Sequence, residues 1–129
     1  MEALLGRMTM EEKIDLIGAC NTIESGLFKR LGFPAMRFSD GPVGVRSFGR
    51  STAYPGGIAL AATWNTALAG RYGHAVGRDG RARGVHIWLA PGLNIHRFPI
   101  CGRNFEYLGE DPFLAGRMAV PLIRGAQAE

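Results

Sequence analysis

Lysine is nearly missing from this chain: two of the fifteen cationic residues are lysines, and the other thirteen are arginines spread from Arg7 to Arg124 among the acids. The net charge of +4 therefore describes no basic tail or stripe. Nucleic-acid binding calls for clustered cations interleaved with aromatics. The densest cluster, Arg78, Arg81 and Arg83, falls in a helical pattern that a solvated face explains, so no nucleic-acid partner is expected. Long apolar runs are missing too, since nothing approaches the ~20 residues of a helical membrane span. The start, Met1-Glu2-Ala3-Leu4-Leu5-Gly6-Arg7, lacks the basic n-region and apolar h-region of a signal peptide, which predicts a soluble, unprocessed chain with cytoplasm the favoured compartment. Cysteine is scarce, and Cys20 and Cys101 have no C-x-x-C or Cys/His spacing. They are expected to be buried or partly buried thiols rather than a zinc site or disulfide framework. His74, His86 and His96 show no metal-ligand spacing either, so no metal and no cofactor is expected.

What is present is ordinary globular composition, 47% apolar and 20% charged in 129 residues, enough for one compact domain or part of a larger one. No repeat, low-complexity tract or linker divides it. Thr9-Met10-Glu11-Glu12 is a capping box and predicts a short helix with Ile14 and Ile17 on one face. Leu31-Gly32-Phe33-Pro34 reads as a turn. Met36 and Phe38 alternate as in a strand over 35–39, which Asp40-Gly41-Pro42 ends. The stretch 47–57 is loop-like, and 58–62 begins a buried helical segment. A longer helix is predicted from Asn65 to about Arg83, with Leu68, Tyr72 and Val76 spaced by four and Gly84 as its stop. Residues 85–89 form a second strand candidate closed by Pro91-Gly92. Asp111-Pro112 then supplies an acid cap and a first-turn proline for a last helix through Leu114, Met118, Leu122 and Ile123, with Pro121 expected to kink it. Asp79-Gly80 and Pro121 are expected to weaken or bend their helices, Gly by about 1 and interior Pro by about 3 kcal/mol relative to Ala.

Strands alternating with helices and followed by long polar loops are the rhythm of a parallel α/β structure. A (β/α)₈ barrel takes about 250 residues, so the chain is read as the N-terminal portion of such a TIM-like barrel, incomplete with two strands. Functional groups in that architecture stand on loops at strand C-terminal ends, and two loops qualify. In the first, Asp40 ends a strand and Arg46 returns six positions later. An Asx-type turn with Asp40 capping the loop and Arg46 paired to it competes with a sugar-binding reading, in which the carboxylate accepts from two hydroxyls while the guanidinium donates to neighbouring ones. The second loop, 94–112, gathers acids, arginines, a histidine and aromatics, with Arg103 beside Gly102 placed to reach outward. A retaining glycosidase needs two carboxyl groups about 5 to 5.5 Å apart. Glu106 is expected instead to pair with a nearby arginine, and Asp111 with backbone donors at a helix start. Trp64 offers a stacking platform, but at a helix start packing is the more ordinary use.

Six segments carry a resemblance in order along the chain: Met8-Thr9-Met10-Glu11-Glu12-Lys13-Ile14; Ser39-Asp40-Gly41-Pro42 ending in Arg46; Ala61-Ala62-Thr63-Trp64-Asn65; Arg81-Ala82-Arg83-Gly84-Val85-His86; Ala90-Pro91-Gly92-Leu93-Asn94-Ile95; and Gly102-Arg103-Asn104-Phe105-Glu106. Together they resemble the family 3 glycoside hydrolases of the β-glucosidase type, across essentially all of residues 1–129. The resemblance implies a (β/α)₈-like first domain followed by an α/β sandwich, and release of the terminal sugar from the non-reducing end of a β-linked oligosaccharide or glucoside with retention. It implies that Asp40, Arg46 and Arg103 hold hydroxyls of the sugar in the subsite before the cut. The family's Lys-His sugar contacts, nucleophilic aspartate and acid/base glutamate lie further along, so neither catalytic role is assigned to a residue here. A standalone carbohydrate-binding or interaction module derived from the same fold is the alternative, and neither reading calls for a membrane.

Overall fold

The structure is a computed structural model that describes residues 2–18, 23–26 and 28–129; Cys20 lies outside the described residues. The chain opens with α1 (Glu2–Arg7) and α2 (Met10–Gly18). The capping box forms, with Glu12 N donating to Thr9 Oγ1 at 3.2 Å and Thr9 N to Glu12 Oε2 at 2.9 Å. Arg30 Nη2 also reaches the Glu12 carboxylate, at 2.5 Å. The Ile14 and Ile17 face of α2 is not covered: these side chains are 61% and 87% exposed.

Two parallel strands, β1 (Phe38–Asp40) and β2 (Ile87–Leu89), pair with Phe38 opposite Ile87, Ser39 opposite Trp88 and Asp40 opposite Leu89. Both are shorter than the sequence suggests, and β1 is shifted toward its C-terminal end. The reason is competition for backbone partners. Ser25 N donates to Met36 O and Phe38 N to Ile23 O, while Met36 N donates to Ser25 Oγ. Met36 and the Phe38 N–H are thus tied to the segment around residue 24, while Arg37 O already accepts from His86 N and Ile87 N at the start of β2.

Between the strands run α3 (Gly57–Ala61) and α4 (Thr66–Ala82), and after them α5 (Pro112–Gln127). Local signals set the ends: the Asn65 side chain accepts from Leu68 N, the Asp111 side chain accepts from Phe113 N, and Gly84 turns away with φ +68°. α5 runs through Pro121 as one helix, although proline has no N–H for the carbonyl four residues back. Helices α4 and α5 touch backbone to backbone. A Cβ on Gly73 would stand 2.0 Å from Leu122 O, and one on Gly125 2.3 Å from Gly70 O. The core gathers residues of α3, α4 and α5 with Val45 and Leu108 from the loops, Trp88 of β2 packing against it, and Val45, Val76, Leu108 and Met118 are at most 1% exposed. Gly80 faces it too, its missing Cβ directed at Val45 and Val85 at ordinary contact distance. Among the described residues no helix is long and apolar enough to cross a membrane. Because β1 and β2 are parallel and in register, their C-terminal ends lie side by side, and the loops that follow leave from one edge.

Candidate functional site

Asp40 is the last residue of β1, and the loop after it folds back at once. Gly41 has φ +145°, a conformation that glycine adopts without steric cost, and a Cβ there would lie 1.6 Å from Gly44 O. The return is closed by Gly44 N donating to Gly41 O and Arg46 N to Asp40 O, both at 3.1 Å. Val45, fully buried, anchors the turn in the core, which leaves Arg46 exposed beside Asp40. The outer side is held by Tyr72 of α4, whose hydroxyl donates to Pro42 O at 2.8 Å and Pro55 O at 3.3 Å. Burial, with a smaller contribution from Tyr54, pushes the Tyr72 phenol up to about 12, so it stays a neutral donor.

The turn reading for Asp40 fails on the partners. Among the described residues, neither the Asp40 carboxylate nor the Arg46 guanidinium takes part in a hydrogen bond or ion pair. Asp40 does not cap the loop, and Arg46 does not pair with it.

Arg103 and Glu106 stand on a short 3₁₀ turn (Asn104–Glu106) and its cap. Their contact is bidentate, Arg103 Nε to Glu106 Oε1 at 2.8 Å and Nη2 to Oε2 at 2.7 Å. The carboxylate is buried and the guanidinium 68% exposed. That fork uses two of the three guanidinium nitrogens and leaves Nη1 unused. The expected pairing of Glu106 with an arginine is therefore found, and so is the use of Asp111 as a helix cap. Two glycines let the Glu106 backbone lie close: a Cβ on Gly57 would be 2.5 Å from Glu106 O, and one on Gly92 2.7 Å from the Tyr107 ring.

The two loops act on one another electrostatically. The Arg103 guanidinium is held charged by its Glu106 hydrogen bonds above all, then by the charges of Glu106, Tyr107 and Asp40. Glu106 is held below its ordinary 4.5 first by the hydrogen bonds from Arg103, against desolvation, and with smaller help from the charges of Arg103 and Arg46. The charges of Asp40, Arg46, Arg103 and Glu106 thus act on one another across the two loops, and two of the four, Asp40 and Arg46, have no partner among the described residues.

The depressed Glu106 pKa has a consequence for stability. A carboxyl that binds its proton less readily when folded contributes stability that is complete above about pH 4.5 and is lost as pH falls through the lower folded-state value. Thermal melts from about pH 6 down to about pH 3 should show such a decline, to which Glu11 and Glu12 also contribute, as their carboxyls are held low too. Glu106→Gln should be less stable than the wild type near pH 6 and have the flatter profile. Parallel profiles would mean that the Arg103 pair contributes nothing.

Other expectations fare differently. Cys101 is exposed rather than buried, because its loop lies on the surface. Trp64 does not pack: it is 73% exposed with φ +54°. His74 pairs with Glu129, His86 Nδ1 accepts from Arg37 N, and His96 stands edge-on to Tyr107 with a buried Nε2 that has no partner among the described residues. Among the described residues no cluster of three or more His, Cys, Asp or Glu could hold a metal. Ser39 and Trp88 stand directly beneath the first loop, and for Ser39 the sequence did have a signal. Alternation along a strand turns the residue before an outward Asp40 inward, and a small hydroxyl at a core-facing position needs partners.

The glycosyl hydrolase family 3 N-terminal domain matches residues 3–129. The chain is 46% identical to a β-glucosidase of Bacteroides ovatus over 95% of its own length and 18% of that protein's. To β-glucosidase B of Emericella nidulans it is 42% identical, over 98% of this chain and 16% of that one. Among solved structures it is similar to β-glucosidase 3B of Thermotoga neapolitana in complex with α-D-glucose, with TM-score 0.89 and 39% identity over 98% of this chain and 21% of that one. It is also similar to the β-glucosidase of Kluyveromyces marxianus in complex with glucose, with TM-score 0.93 and 35% identity, covering 98% and 16%. The chain spans about a fifth or less of each of these proteins.

Proposed function

The chain belongs to glycosyl hydrolase family 3, and from that premise we propose that it is the N-terminal part of a retaining β-glycosidase of the β-glucosidase type, supplying Asp40, Arg46 and Arg103 to grip the non-reducing-end sugar. One observation carries this reading. Asp40 ends β1 and Arg46 follows it, both exposed and without a partner among the described residues, and their charges act on the Arg103–Glu106 pair. Polar groups that fold without partners and share one rim are suited to a ligand with many hydroxyls. A carboxylate accepts from two of them, and the two guanidiniums donate to others.

The catalytic carboxylates belong, in this proposal, to the part of the protein outside residues 1–129. Glu106 is committed to Arg103 and Asp111 to the start of α5, so the loop holds no free acid and nucleophile pair of the retaining kind. The rest of a (β/α)₈-like barrel and an α/β sandwich are the proposed partners. Ile87 and Leu89 on β2 are 38% and 49% exposed, and an apolar parallel strand is ordinarily covered on both faces. The same exposure counts against a standalone module.

The test has two arms. Residues 1–129 alone should not hydrolyse a nitrophenyl β-glucoside; turnover abolished by Glu106→Gln would overturn the view that the catalytic pair lies elsewhere. The intact protein should release glucose as the β-anomer first, as double displacement requires. Release of the α-anomer first would exclude the retaining mechanism.

A further inference from the structure

The two side chains beneath the first loop are paired across the sheet, Ser39 on β1 opposite Trp88 on β2. Ser39 is completely buried. Its hydroxyl donates to Asp40 O at 2.9 Å and accepts from Arg46 N and Ser47 N, both at 3.2 Å. One donor and two acceptor sites are all that a serine hydroxyl has, and here all are used on one loop. The Trp88 indole Nε1 donates to Gly41 O at 2.7 Å. Backbone groups at residues 40, 41, 46 and 47 are thus tied to two side chains of the rigid sheet.

We infer that Ser39 and Trp88 are positioning residues: from below, they fix the backbone on both sides of the return and so set the angle at which Asp40 and Arg46 meet a sugar. This role rests on the proposed sugar site and on how little holds the two side chains above the loop. Since no side chain among the described residues orients the Asp40 carboxylate or the Arg46 guanidinium, their aim depends on the backbone that carries them. Sites of this kind lose much of their effect when the supporting groups are loose by about 1 Å.

Ser39→Ala and Trp88→Phe in the intact protein test this, since each removes the polar contact and keeps most of the packing. Two quantities are read, amide exchange along 41–47 and the affinity for D-glucose by calorimetry. Loss of one such hydrogen bond should raise exchange by about tenfold, at Ser47 in Ser39→Ala and at Gly44, whose N–H donates to Gly41 O, in Trp88→Phe, and weaken glucose binding by about five- to tenfold, with Ala69 and Val76 of α4 unchanged. Unaltered exchange and affinity in both variants would overturn the inference. So would equal acceleration at Ser47, Ala69 and Val76, because that is general loosening and not positioning. A wild-type protein that binds no glucose would overturn the sugar reading itself, and a change in Ser47 exchange would then report only a loop tie without that purpose.

Discussion

Replacing Gly73 by alanine is expected to destabilise the protein by about 3 kcal/mol or more, at the upper end of what overpacking a core costs. The added Cβ would lie 2.0 Å from Leu122 O, 2.9 Å from Leu122 C and 3.0 Å from Ala126 N. All three are backbone atoms of α5, so no side chain can rotate away, and the two helices must separate. Gly125→Ala meets the same barrier from the other side, at 2.3 Å from Gly70 O and 3.0 Å from His74 N. Because both changes open one contact, the double variant should cost less than the sum of the singles. Gly80→Ala is the control on the same helix. Its Cβ would sit 3.7 Å from Val45 Cγ2 and 3.8 Å from Val85 Cβ, ordinary contact, and the gain in helix propensity should stabilise by about 0.5 to 1 kcal/mol. Urea unfolding of the three single variants and the double variant checks this. A Gly73→Ala protein as stable as the wild type would mean that the helix contact is not as close as described.

That contrast shows what was and was not legible in the sequence. Gly80 reads as a weak point because propensity is a local quantity, and locally it is one. Gly73 and Gly125 look no different on paper, yet their role depends on which helix lies opposite, 52 residues away along the chain. The same division runs through the fold. Asn65, Gly84, Asp111 and the Thr9-Glu12 pair act within one turn of themselves, and their elements begin or end where the residues suggest. Strand β1 begins later than its alternation suggests because Ser25 and Ile23 take up the backbone of Met36 and the Phe38 N–H, and no alternation pattern reveals a competing partner. At the site, Glu106 with an arginine was legible from proximity in one loop. The indole of Trp88 reaching Gly41 O was not, since it links residues 47 apart. Ile14, Ile17 and Trp64 mark a different limit: the sequence says that they are apolar, but only the fold says that nothing in these residues covers them.

Asp40→Ala in the intact protein should separate function from stability. The carboxylate is exposed and makes no hydrogen bond or ion pair with the described residues, so its removal leaves no buried group unpaired. Stability should therefore stay within about 0.5 kcal/mol of the wild type. Activity should not. Two charge-assisted hydrogen bonds to sugar hydroxyls, strengthening as the ring distorts, correspond to a loss on the order of 100- to 1000-fold in kcat/KM. Much of that loss should fall on kcat, because contacts that tighten toward the transition state contribute little to the ground-state complex. Gly41→Ala should give the opposite signature, with stability and activity lost together, since its Cβ would stand 1.6 Å from Gly44 O at a φ of +145°. Gly49→Ala, also at a positive φ but with nothing within 4 Å, should cost only the backbone strain of about 1 to 2 kcal/mol. If Asp40→Ala leaves both kcat and KM unchanged, Asp40 does not touch the sugar, and its lack of a partner has another cause.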